Sequence, residues 1–199
     1  SDLIMLNYKK SPHKFFSIIL PVYNEADNID KLILFIEKYL INFKYEIIFV
    51  DDNSSDKTKK VIKKYISKNI KYYLRKEKKD LTLSCFLGIK KSRYRNIIIM
   101  DSDLQHHPKY LPRMVNIYFK KKIDFVVAVR RFNKNTKIYL VRNFFSIILN
   151  NIFKYFLGYK VSDPMSGFFM FRKSIYYKYK DDLFGKGWKI LADLIYIKK

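Results

Sequence analysis

The sequence has one cysteine, Cys85, in 199 residues, so no internal disulfide can form and zinc sites built from Cys-x-x-Cys pairs are excluded. Cys85 is expected reduced and buried in a cytosolic setting. Only 5 Gly and 5 Pro occur, which excludes collagen-like and Gly/Pro-rich linker architectures. No apolar run approaches the roughly 18 residues that a membrane-spanning helix needs. Ser1 to Lys14 also lacks the apolar centre of a signal peptide.

Acidic residues are scarce as well. Against 41 Lys+Arg stand 18 Asp+Glu, a formal net charge of +23. Such a field attracts nucleic acid, anionic lipid or phosphorylated substrates without distinguishing them. An A+T-rich coding sequence would also enrich Lys, Ile, Asn, Tyr and Phe. Basic runs such as Lys120-Lys121-Lys122 are short and scattered, so no nucleic-acid-binding arm is expected. Apolar residues are abundant, at 49% hydrophobic and 18% aromatic, enough to bury a core and to exclude a disordered chain.

Residues 1–14 read as an extension and 15–199 as one domain. Phe15 to Val22 is an apolar, β-branched and aromatic run that suits a strand buried on both faces. A helix capped by Asn28 follows, with Ile29, Leu32, Ile33 and Ile36 at helical spacing. Further strands are expected at Tyr45–Val50, Ile70–Leu74, Asn96–Met100 and Phe125–Val129. Helices are expected from Asp56 to Tyr65, over Leu81–Ser92, and from Pro108 to about Tyr118. This alternation requires crossover connections, so the fold class is α/β, a doubly wound, mostly parallel sheet. After Val129 the rhythm changes to a long helix over Lys137–Leu157, a loop around Asp163–Gly167, and a short strand Phe168–Phe171 leading into another helix.

The few acids collect where an open α/β sheet binds ligands, beyond the carboxyl ends of its strands. Glu25 and Asp27 follow the first strand, Asp51 and Asp52 the second, Asp101 and Asp103 the fourth. Like charges gathered this way need an offset, and a divalent cation supplies one. Asp56 and Asn28 are read as turn or cap residues, and Asp51-Asp52 is ambiguous on its own. In Asp101-Ser102-Asp103 the alternate carboxylates of an extended segment share one side and can hold a hard cation with Gln105. His106 and His107, beside Pro108, are assigned to the turn and helix start, and Trp188 to packing.

No G-x-G-x-x-G follows the first strand and no G-x-x-x-x-G-K-[ST] occurs, which argues against dinucleotide oxidoreductases and P-loop enzymes. A metal held by carboxylates is then the means of neutralising a diphosphate at this edge. A phosphatase using Asp-x-Asp would want the motif after its first strand, whereas here it follows the fourth.

Four segments in order carry a family resemblance: Pro21-Val22-Tyr23-Asn24-Glu25, Val50-Asp51-Asp52-Asn53-Ser54-Ser55-Asp56, Met100-Asp101-Ser102-Asp103-Leu104-Gln105-His106-His107-Pro108, and Ser162-Asp163-Pro164-Met165-Ser166-Gly167-Phe168. Over residues 15–199 the chain resembles family 2 glycosyltransferases, most closely the dolichyl-phosphate (polyprenyl-phosphate) mannose synthase branch. The resemblance implies a GT-A nucleotide-sugar fold and a metal-dependent inverting transferase. It implies Pro21, Tyr23, Glu25, Val50, Asp52 and Ser102 around the nucleotide, and Mg2+ or Mn2+ on Asp101, Asp103 and Gln105. Arg130 would face the phosphates, and Arg142 and Lys173 are further anion contacts. Where the family usually has Arg-Gly-Leu before the third helix, this chain has Lys79-Asp80-Leu81. Gly187 to Leu191 resembles the helix preceding a donor-covering loop in relatives, and the sequence stops before that loop.

In the reaction so implied, a sugar, with mannose from GDP-mannose preferred, passes to a polyprenyl phosphate. A hydroxyl acceptor would need a carboxylate base. The Glu-Asp pair and the Q-x-x-R-W motif of relatives with such acceptors are missing, which favours an acceptor that is already ionised. Asn143 to Tyr159 presents Phe144, Phe145, Ile147, Ile148, Ile152, Phe153 and Phe156 flanked by Arg142, Lys154 and Lys160, as suits an interfacial helix or an ordinary core helix. The resemblance favours the interface, giving a cytoplasmic protein peripheral on the inner face of the cell membrane. Other readings are another donor such as UDP-glucose, a saccharide hydroxyl acceptor, or a basic non-catalytic module binding nucleic acid or membrane.

Overall fold

The computed structural model describes residues 14–121, 123–128 and 166–181. Six strands form one sheet in the order β3-β2-β1-β4-β6-β5. β1 is Phe15–Val22, β2 Lys44–Asp51, β3 Ile70–Leu74, β4 Asn96–Met100, β5 Phe125–Val127 and β6 Phe168–Arg172. β1 pairs in parallel with β2 and β4, and β2 with β3, whereas β6 runs antiparallel between β4 and β5. The mostly parallel α/β sheet expected from the sequence is therefore present, with one reversed strand inserted. The order reverses at β1, whose neighbours are β2 and β4, so the ligand crevice belongs at their carboxyl ends.

The helices are α1 (Ala26–Tyr39), α2 (Thr58–Lys63), α3 (Leu81–Lys91), α4 (Leu111–Lys121) and α5 (Lys173–Tyr179), with a 3-10 turn at Pro108–Tyr110 ahead of α4. Alternate strand residues point to opposite faces. Phe16, Ile18, Leu20, Ile47, Phe49, Ile98, Met100, Phe168 and Met170 meet α1, α2 and α4 on one side. Ile19, Ile48, Val50, Ile97, Ile99, Phe169 and Phe171 meet α3 and α5 on the other. Strands buried on both faces explain the continuous apolar runs. In α1 the side chains of Ile29, Leu32, Ile33 and Ile36 are fully buried, each worth about 1.5–3 kcal/mol relative to exposure. α3 lies so close to β1 that a Cβ on Gly88 would collide with the Ile19 side chain.

Two helix starts differ from expectation. α1 begins at Ala26, and Asn28 lies within its first turn, donating to Glu25 Oε2 at 2.7 Å. The helix can start early because its first donors are met from the neighbouring loop. Thr58 Oγ1 accepts from Glu25 N at 2.8 Å and Asp56 Oδ2 from Ala26 N at 3.2 Å. α2 begins at Thr58 and ends at Lys63, short of Tyr65, whose hydroxyl instead donates to Asp30 Oδ1 at 2.8 Å. No helix of the described residues is long and apolar enough to cross a membrane.

Candidate functional site

Among the described residues three non-glycine positions have left-handed backbone, Asn24 (φ 55), Asn53 (φ 63) and Leu104 (φ 60). Each lies just past the carboxyl end of a strand, of β1, β2 and β4 respectively. Such conformations cost on the order of 1–3 kcal/mol and persist where surrounding contacts impose them. Asn accommodates the region through local hydrogen bonds; Leu does not. The strain is thus concentrated on the edge where the acids lie.

The β1 and β2 ends are stitched together. Asn24 N donates to Ser54 Oγ at 2.9 Å, and Asn24 Oδ1 accepts from Ser55 N at 2.9 Å. Asp51 is used for support, its two carboxylate oxygens accepting from Ser54 N and Tyr72 Oη, both at 2.8 Å. Asp56 joins Ala26 N to Thr58 N. Burial tends to raise the Asp56 carboxyl, but its hydrogen bonds, led by that from the Thr58 hydroxyl, outweigh this and hold it below the ordinary range. Between these supports Tyr23 and Asn24 remain exposed and Glu25 half-buried.

Asp52 has a different setting. It is buried, ion-paired through Oδ1 with Arg75 Nη1, and its Oδ2 accepts from Asp80 N at 2.6 Å. Arg75 in turn donates to the carbonyls of Lys78 and Asp80 at 3.1 and 3.0 Å and to Ser84 Oγ at 3.3 Å. The guanidinium therefore clamps the β3–α3 loop to the end of β2. Burial pushes the Asp52 carboxyl up, against the lowering by the Asp80 N–H and Arg75. Asp80 caps α3, its carboxylate accepting from Leu83 N at 3.1 Å, and its extended backbone (φ -159) has no need of the glycine usual in the family. Lys79 rests its ammonium 3.2 Å from the centroid of the Tyr23 ring.

At the end of β4, Ser102 is buried and donates to Pro21 O at 3.1 Å, tying this turn to β1. The half-buried Asp103 accepts from Gln105 N at 3.0 Å, and Gln105 is exposed. Asp101 N donates to Gly167 O at 3.1 Å, and the Asp101 carboxylate lies where a Cβ on Gly167 would be, in collision with both oxygens. The glycine of the Ser-Gly motif is thereby explained as clearance for the carboxylate. The field of Asp101, Asp80 and Asp52 reaches Cys85, whose thiol is pushed far up by burial first and by these carboxylates next, leaving it inert. Asp101, Asp103 and Gln105 all offer side-chain oxygens, the ligand type that Mg2+ and Mn2+ take. No group of three or more His, Cys, Asp or Glu placed to hold a metal ion occurs among the described residues, so a cation here would need Gln105 and phosphate or water oxygens to complete its shell.

Tyr23, Glu25, Asp52, Asp101, Asp103 and Gln105 are thus brought to one edge, with Pro21 and Ser102 buried beneath it. Val50 is fully buried under α3 and belongs to the core. Lys173 is carried to the opposite edge, because antiparallel β6 ends where β4 begins; its ammonium donates to Ser92 O at 2.7 Å. Arg130, Arg142, the helix candidate Asn143–Tyr159 and Trp188 lie outside the described residues. His107 belongs to the turn as expected, its Nδ1 accepting from Lys109 N at 3.1 Å at the start of the 3-10 turn, and the rings of His106 and His107 lie 5.5 Å from that of Phe168 and 4.8 Å from that of Phe35. Sequence reasoning passed over Arg75, whose signal is a cation directly after β3 on the acidic edge, and the clearance role of Gly167.

Comparison with known proteins bears on the fold and the family. Dolichol-phosphate mannosyltransferase of Pyrococcus furiosus is 31% identical over 80% of this chain and 46% of its own length. Dodecaprenyl-phosphate galacturonate synthase of Rhizobium johnstonii is 27% identical over 80% and 48%. The chain therefore spans about half the length of these relatives. Glucosyl-3-phosphoglycerate synthase of Mycobacterium tuberculosis, solved with Mn2+, uridine diphosphate and glucosyl-3-phosphoglycerate, superposes with a TM-score of 0.71 at 18% identity, covering 94% of this chain and 65% of that one. It shares the GT-A fold. The model of glycosyl transferase family 2 matches residues 17–180, and the chain belongs to that family.

Proposed function

We propose that this chain is the donor-binding and catalytic part of a metal-dependent inverting glycosyltransferase that moves a sugar, with mannose from GDP-mannose preferred, onto a polyprenyl phosphate at the cytoplasmic face of a membrane. The observation that carries the reading is the Asp101 carboxylate seated against Gly167, beside Asp103, on the strained carboxyl edge of the sheet. The names of both sequence relatives contain a polyprenyl phosphate and differ in the sugar, so the acceptor class has more support than the sugar.

In this reading Tyr23 offers its ring to the base, Asp52 stays positioned by Arg75, and Asp101, Asp103 and Gln105 hold Mg2+ or Mn2+. When bound, the cation supplies positive charge where the departing diphosphate gains negative charge. Arg130, which the family resemblance assigns to the phosphates, would add a cation to them. An acceptor phosphate monoester, with a second pKa near 6, needs no proton removed at neutral pH. The test is a panel of GDP- and UDP-sugars against polyprenyl phosphate, polyprenol and free sugars in detergent with Mn2+. Sugar transfer to polyprenyl phosphate alone is expected; transfer to a free sugar hydroxyl with polyprenyl phosphate inert would overturn the acceptor assignment.

A further inference from the structure

The turn after β4 carries two of the candidate metal ligands on either side of a residue whose backbone is strained. Ser102 and His106 are buried, Leu104 between them packs against the core cluster that contains Met100, Leu111 and Phe168, and the intervening Asp103 and Gln105 are half-buried and exposed. Both ends of the turn are anchored, Ser102 on Pro21 O at 3.1 Å and the His106 ring edge-on to Phe168 at 5.5 Å. Leu104 sits between these anchors with φ 60, and Gln105 N turns back onto Asp103 Oδ1 at 3.0 Å. Glycine takes the left-handed conformation without steric cost and asparagine at little cost; leucine has neither advantage. Leucine holds it here because burial of its side chain offsets the strain, so the packing and the backbone conformation depend on each other.

Resting on the donor-site reading above, we infer that Leu104 is a positioning residue for the metal: its packed side chain keeps the turn left-handed, and that conformation presets Asp103 and Gln105 for a single cation. Leu104 itself touches neither metal nor donor. Its effect is that the turn is already ordered when cation and diphosphate arrive, so binding does not have to supply the backbone entropy lost on folding. Asparagine at this position would keep the bend without the packing. Alanine would lose both.

The experiment is calorimetric titration of GDP and UDP in Mn2+, and of guanosine and uridine, with the wild type, Leu104→Ala, Leu104→Asn and Leu104→Met, together with amide hydrogen exchange over the β4 turn without metal. Leu104→Ala and Leu104→Asn both remove the packed side chain and differ in backbone preference, so the difference between them reads the conformation itself. Leu104→Ala should weaken Mn2+-dependent binding of the preferred diphosphate roughly tenfold, the size of ordering one residue's backbone, and its turn amides should exchange faster. Leu104→Asn should stay within about threefold of the wild type, and Leu104→Met, which conserves volume, should bind like the wild type. Nucleoside affinity should be unchanged in every variant. A loss in Leu104→Asn as large as that expected of Leu104→Ala would overturn the inference whether or not Leu104→Ala folds, and so would unchanged binding by a folded Leu104→Ala. Nucleoside affinity that falls in step with diphosphate affinity would also overturn it, by making Leu104 a support for the whole crevice. Failure of the wild type to bind either diphosphate would overturn the donor-site reading itself and the inference with it.

Discussion

Gly167→Ala adds one methyl group at the point where the candidate metal ligand has least room. The new Cβ would overlap both Asp101 carboxylate oxygens. The backbone cannot easily separate, since Asp101 N donates to Gly167 O at 3.1 Å and β4 and β6 are in register from Met100 opposite Phe168 onward. The side chain yields instead, by about 1 Å or more to regain van der Waals distance. A displacement of about 1 Å in a reacting constellation costs on the order of 10²-fold in rate, or about 2.7 kcal/mol. Half-burial gives the carboxylate somewhere to go, so the stability cost should sit at the low end of the overpacking range of about 1–3 kcal/mol. At about 2–4 °C per kcal/mol for a chain of this length, Tm should fall by only a few degrees. Calorimetry with Mn2+ and the preferred nucleoside diphosphate, together with sugar transfer to polyprenyl phosphate, measures the loss, and a melt measures the cost. A variant that binds and transfers like the wild type would refute the reasoning, and with it the claim that Asp101 works from its position beside Gly167.

Asp103→Ala should abolish Mn2+-dependent nucleotide binding while leaving Tm without metal unchanged or raised, because it removes a like-charged neighbour of Asp101; undiminished binding would remove Asp103 from the site. Arg75→Met leaves the buried Asp52 carboxylate without its cation and should cost about 3–5 kcal/mol, a fall in Tm of roughly 10 °C, measurable by calorimetric melting. A neutral effect would mean that the Arg75 clamp is dispensable. Glu46, fully buried at the opposite edge, is raised by burial but lowered more by Ser17, Arg93 N–H and Lys71, so its folded carboxyl titrates below its ordinary value. The stability it contributes is present above the unfolded value of about 4.3 and is lost as pH falls through the lower folded one; urea midpoints should drop less below about pH 4 in Glu46→Gln than in the wild type, and parallel curves would refute this.

The parallel sheet was legible because strands buried on both faces must be continuously apolar. Phe15–Val22 and Asn96–Met100 carry that pattern without a polar interruption other than Ser17 and the edge residue Asn96. The place of β6 was not legible. Phe168–Arg172 reads equally well as a strand in either direction, and its insertion between β4 and β5 depends on long-range pairing that no local pattern records. The same limit explains Lys173. Its nearness in sequence to the Ser-Gly motif suggested an anion contact, but five residues of antiparallel strand carry it across the sheet.

The site itself was readable as chemistry and only partly as structure. Among neighbouring acids of similar sequence character, Asp51 and Asp56 hold loops together, whereas Asp101 and Asp103 stand on the strained turn after β4. What separates these roles is the supply of local donors. The β2–α2 loop is rich in backbone N–H groups and hydroxyls that consume carboxylates as they fold, through Ser54, Thr58 and Tyr72. The β4 turn is held mainly by Ser102 on Pro21 and a backbone contact to Gly167, and uses one Asp103 oxygen for Gln105 N, so fewer donors are spent on its carboxylates, which lie beside the crevice. An acid in a loop crowded with donors is therefore the first to be read as scaffold, and an acid next to a left-handed leucine the first to be read as a ligand.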